Sequence, residues 1–108
     1  MDSEFIVMIT AVPEEDEARS LADRLIEERL AACIQMEQVE SKYRWQGRVE
    51  SDSEFRLMIK TRAVLFDRVE EAIRAEISEE TPEIIALPVL EGSSDYLKWI
   101  ASETQTPI

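Results

Sequence analysis

From Phe5 to Val12 the chain reads Phe-Ile-Val-Met-Ile-Thr-Ala-Val, apolar at nearly every position and too short for a buried helix. This pattern predicts a strand central in a sheet and covered on both faces. Pro13 then suits a first helical position, and Glu14, Glu15 and Asp16 stand where the helix dipole favours acids. Ala18, Leu21, Ala22, Leu25, Ile26 and Leu30 recur at helical spacing, so a helix is expected over residues 13–30. From Ala32 to Trp45 the pattern alternates and becomes partly polar, Gln46-Gly47 supplies a two-residue turn, and a second strand returns through Phe55, Leu57 and Ile59. Leu65, Phe66, Val69, Ala72, Ile73 and Ile77 mark a second amphipathic helix. The apolar stretch from Glu83 to Leu90 predicts a strand that Pro88 confines to a sheet edge, because proline cannot donate to a ladder. Gly92-Ser93-Ser94-Asp95 then gives a turn and an N-cap before a short closing helix carrying Tyr96, Leu97, Trp99 and Ile100. Thr104 to Ile108 reads as a loose tail.

The order is βαββαβ plus a C-terminal helix, and right-handed crossovers place both long helices on one face of a four-stranded antiparallel sheet. This is an α/β (α+β) ferredoxin-like sandwich, expected as a single domain over 1–108. The hairpin strands run to about fourteen residues, whereas the first strand offers only eight or nine partners. Several residues per hairpin strand must therefore project from the body as an arm. Tyr43 and Trp45, two apart, share one face of it. An isolated two-stranded ribbon is marginal in water, so the arm is expected to pair with another subunit.

Composition narrows the chemistry. The 108 residues contain 24 acids and 12 bases, a net charge of −12, which leaves no basic face large enough to neutralise many phosphates. Nucleic acid and anionic membranes are accordingly not expected as partners. The single cysteine, Cys33, cannot form an internal disulfide, and the chain opens with no charged-then-apolar leader. The expectation is a soluble, cytoplasmic protein. Histidine is absent, which removes the commonest general base and the commonest transition-metal ligand together. Without it no Ser-His-Asp or Cys-His pair can exist, and no phosphate-binding or dinucleotide fingerprint is present, so no enzyme is expected. Cys33 could serve copper only if Met8, Met36 or Met58 converged on it; otherwise it is a small apolar residue entering a strand. The acidic runs Glu14 to Glu17, Glu50 to Glu54 and Glu79-Glu80 read as a stabilised helix start and solvated loops.

Five ordered segments resemble the CutA family of divalent-cation-tolerance proteins over nearly the whole chain: Glu27 to Ile34, Tyr43 to Gly47, Ile59 to Arg62, Thr81 to Pro88, and Tyr96 to Ile100. The resemblance implies a ferredoxin-like homotrimer with interlocking hairpins, tied to copper or another divalent cation and without an established catalytic activity. It also implies a trimer shaped like the PII signalling proteins, which bind effectors between subunits. By that resemblance Lys60, Glu83, Tyr43 and Trp45 line an intersubunit cleft; from the residues themselves, the aromatics Tyr43, Trp45 and Trp99 are the expected trimer-interface anchors and Cys33 is the candidate metal ligand. Lys60 lies on a strand that should be central, so its charge is expected to find a carboxylate such as Glu83. The family's His-Pro-Tyr stretch is replaced here by Ile77-Ser78-Glu79. The functional alternatives are a PII-like regulator with a small effector in the cleft and a purely structural scaffold trimer.

Overall fold

A computed structural model describes residues 3–106; the first two residues and the last two of the expected tail lie outside the described range. Strand β1 spans Phe5–Val12, helix α1 Glu15–Glu27, strands β2 and β3 Cys33–Trp45 and Arg48–Arg62, helix α2 Phe66–Glu76, strand β4 Ile85–Pro88 and helix α3 Ser94–Glu103. The sheet order is β2-β3-β1-β4, antiparallel throughout, so β1 is central and the strand ending in Pro88 is an edge.

Residue alternation sets which face is covered. Ile6, Met8, Thr10 and Val12 on β1, with Leu57, Ile59 and Thr61 on β3, are buried beneath the two long helices. Leu21 and Leu25 of α1 and Val69 and Ile73 of α2 complete this core. The other face is less well covered: Phe5, Val7 and Ile9 are only half-buried, and Ile85 and Leu87 of β4 are exposed. The expectation that β1 is covered on both faces is therefore corrected for the single chain. Its apolar character exceeds what one copy buries.

Helix α1 is shorter than its spacing suggests. Arg29 takes a left-handed conformation at φ 57°, which ends the helix, and Leu30 is buried just beyond that end. The C-terminal tail is also not loose over its described part. The buried Thr104 donates its hydroxyl to the Ile100 carbonyl and accepts from Arg62, while the Gln105 amide donates to the Arg29 carbonyl at 2.7 Å. Arg62 and Arg68 also donate to Gln105, so residues 104 and 105 strap α3 to the body.

The hairpin arm follows from register. Val12 pairs with Phe55, the last partner β1 can offer, yet β2 and β3 continue through seven further pairs from Val39–Glu54 to Trp45–Arg48. At about 3.3 Å per residue this is roughly 20 Å of ribbon beyond the neighbouring strand, matching a long axis of 44 Å against 26 and 23 Å. Gln46 and Gly47 close it with φ values of 50° and 79°, the positive pair that a tight hairpin turn requires.

Candidate functional site

The cleft of about 810 Å³ between the arm, the end of β1 and the segment preceding β4 is the candidate site. Ala11 and Pro13 form its inner wall, Tyr43 and Trp45 its aromatic wall, and Glu79, Glu80 and Glu83 its rim. Glu14, Asp52 and Glu54 add further carboxylates, against Lys42 as the one base. The Tyr43 hydroxyl donates to an Asp52 carboxylate oxygen, a bond that follows from the hairpin register, since Ser41 faces Asp52 and Tyr43 lies diagonally across from it. Bonding to Asp52 first, with burial and the charges of Asp52, Glu50 and Glu54 adding to it, pushes the Tyr43 phenol up to about 12. Glu79 is likewise raised above the ordinary carboxylate range, by burial first and then by the charges of Glu54, Glu17 and Asp52. The cleft repels added negative charge.

Three of the four cleft residues expected from sequence, Tyr43, Trp45 and Glu83, meet here. Lys60 does not. It pairs in register with Val7, four residues and about 13 Å along β1 from Ala11, so Glu83 is out of reach. No Lys60 ion pair forms among the described residues; its ammonium instead lies 5.7 Å from the centre of the Tyr96 ring. This corrects the expected carboxylate partner with a cation–π contact. Tyr96 stacks on Trp99 with centroids 5.6 Å apart, so Trp99 belongs to this second cluster and stays 42% exposed. Tyr43 and Trp45 are 41% and 46% exposed.

Cys33 is half-buried at the start of β2, on the face opposite the helices. Met8 and Met36 point to the helical side, and only Met58 shares its face. Among the described residues no three His, Cys, Asp or Glu side chains converge as a metal cage would need. Among the described residues, Met58 is thus the one methionine on the same face as Cys33. The acidic runs, read from sequence as helix start and solvated loops, contribute Glu14, Asp52, Glu54, Glu79 and Glu80 to one wall system. That convergence is the part sequence reasoning missed.

The family model for the CutA1 divalent ion tolerance protein matches residues 6–103. The chain belongs to the CutA1 family. A divalent-cation tolerance protein CutA from Thermus thermophilus is 44% identical over 102 residues, covering 94% of this chain and 98% of that protein. A chloroplastic CutA from Arabidopsis thaliana is 41% identical over 93% of this chain, which spans only 56% of that longer protein. Among solved structures, CutA1 from Shewanella sp. SIB1 superposes with a TM-score of 0.95 at 31% identity, covering 98% of this chain and all of that one. The Thermus thermophilus structure gives 0.90 at 41%, covering 94% and 99%. As a CutA1-family fold the chain carries the family's four-stranded antiparallel sheet and three helices.

Proposed function

We propose that this divalent-cation-tolerance protein works as a homotrimer with no catalytic step, binding cations or presenting a surface. The observation that supports the reading is the arm: seven residue pairs of two-stranded ribbon lie beyond β1 with Tyr43 and Trp45 exposed on one face. A ribbon of this kind is stable in water only when a further strand or face covers it. The half-covered sheet face, with Ile85 and Leu87 exposed, asks for the same partner. Light scattering coupled to size exclusion tests this: a mass near three times 12.4 kDa supports the trimer, and a stable single-chain mass overturns it.

For the metal half of the reading, carboxylate oxygens are the donors this chain has in quantity, and they suit hard divalent cations with low selectivity. Copper is the weaker half, because Cys33 has only Met58 on its face. Calorimetric titration with copper, zinc and magnesium tests both halves; saturable heat with any of them supports cation binding, and none at micromolar metal overturns it. A PII-like reading with an anionic effector is disfavoured by the six carboxylates that line the cleft. We place the protein in the cytoplasm on the strength of its one unpaired thiol, whereas an Archaeoglobus fulgidus relative is described as periplasmic. Cell fractionation distinguishes the two compartments.

A further inference from the structure

Arg62 ends β3 opposite Phe5, seven residues and about 23 Å along β1 from Val12, where the arm leaves the body. At this far end Arg29, Arg62 and Arg68 form no ion pair among the described residues. Their guanidinium groups bond instead to neutral oxygens of one short stretch. Arg29 donates to the Ser102 carbonyl at 2.8 Å, Arg62 to the Thr104 hydroxyl at 2.9 Å and to the Gln105 carbonyl, and Arg68 to the Gln105 side-chain oxygen at 2.5 Å. Two guanidinium groups thus close on the single residue Gln105. The bordering carboxylates are turned elsewhere: Glu28 accepts from Arg24, Glu103 accepts from Ser102, and Asp67, beside Arg68 in sequence, forms no ion pair with it among the described residues. In a chain of net charge −12, three cations gathered without an acid make an island of positive potential.

A guanidinium fork matches a tetrahedral oxyanion, and its charge-assisted bonds to one are roughly twice as strong as those to a neutral carbonyl. We infer that Arg29, Arg62 and Arg68 form a binding site for a single phosphate group, which takes the places now filled by the oxygens of Thr104 and Gln105 and thereby unfastens helix α3. The site is separate from the acidic cleft, and its failure leaves the homotrimer reading untouched. Helix α3 is suited to such release, because Ile100 is the one buried residue of its ten. An element with few buried apolar contacts and exposed hydrogen bonds opens at low free energy. A ligand that binds the opened form better shifts the population toward it. Gln105 opposes the ligand through two further bonds, its amide to the Arg29 carbonyl at 2.7 Å and its side-chain nitrogen to the Glu28 carbonyl at 2.8 Å. That competition gives the test its sign: weakening Gln105 must help the phosphate.

Titration calorimetry with inorganic phosphate and with glycerol phosphate, at an ionic strength held constant with chloride, tests the site; hydrogen exchange of the α3 amides tests the release. Saturable heat with both probes supports a site for phosphate esters, and heat with inorganic phosphate alone supports it with the free ion as occupant. Arg68→Gln, at an exposed position, is expected to weaken binding about tenfold. Gln105→Ala is expected to tighten it severalfold by removing the competing side chain, and circular dichroism checks that both variants fold. With phosphate present, wild-type exchange from Leu97 to Gln105 is expected to quicken severalfold while α1 and α2 keep their protection. This last measurement needs no variant and decides the release on its own. No saturable heat at millimolar phosphate overturns the inference, as does an Arg68→Gln protein that binds like wild type. Binding that leaves α3 exchange unchanged, or that Gln105→Ala fails to tighten, overturns it equally.

Discussion

Thr10 is fully buried on the helical face of β1, and its hydroxyl has no hydrogen-bond partner among the described residues. An unpaired buried hydroxyl costs about 1–3 kcal/mol, and valine has nearly the same shape without that group. Thr10→Val is therefore expected to stabilise the protein by about 1 kcal/mol, raising the midpoint of urea unfolding at unchanged slope. Thr61, also fully buried, differs because its hydroxyl donates to the Leu30 carbonyl at 2.6 Å. Valine there leaves that carbonyl without its partner. Sequence alone cannot separate the two threonines. Both sit on the apolar set of a strand, and only the left-handed residue Arg29 brings the Leu30 carbonyl within reach of one of them.

At the scale of elements, the hairpin is the most legible part of the chain, because its information is local. Gln46-Gly47 fixes the turn, the turn fixes the register, and the register carries Tyr43 to Asp52 and Cys33 to Lys60. Gly47 has φ 79° and open space where a side chain would stand, so an added methyl meets no atom and the cost is confined to backbone conformation. Gly47→Ala is expected to destabilise by about 1 kcal/mol, measured by chemical unfolding, with faster amide exchange concentrated between Lys42 and Ser51. Pro88 likewise announces an edge strand. Less legible are the features set by distant segments. The end of α1 is decided by Arg29 and the strap at Gln105 rather than by the periodicity that carries on to Leu30. The gathering of Glu14, Asp52, Glu54 and Glu79 depends on where the segment before β4 lies against the arm, and no spacing rule encodes that.

Across the whole molecule, a charge of −12 is spread unevenly, and the cleft holds part of it at a cost. Glu79 binds its proton more tightly in the folded state than in the unfolded chain, because burial and the charges of Glu54, Glu17 and Asp52 oppose its ionisation. A carboxyl raised on folding lowers stability at pH above its folded value, and that penalty disappears as pH falls below the unfolded value. Glu79→Gln is accordingly expected to raise the melting temperature at neutral pH and to give no gain near pH 3.5, below the ordinary glutamate range of about 4.3. Thermal scans of wild type and variant across that interval check the sign; a gain that persists in acid refutes the assignment.

The strap at Thr104 and Gln105 carries a consequence for how the protein is made. Arg29, Arg62 and Arg68, which it engages, leave the ribosome long before it does. Until those late residues emerge, α3 is held by its buried Ile100, by the Arg29 side chain on the Ser102 carbonyl and by Tyr96 beside Lys60, without the strap's added bonds. Translation thus delivers the strap after the sheet and both long helices, and a chain interrupted near Glu103 carries α3 without it.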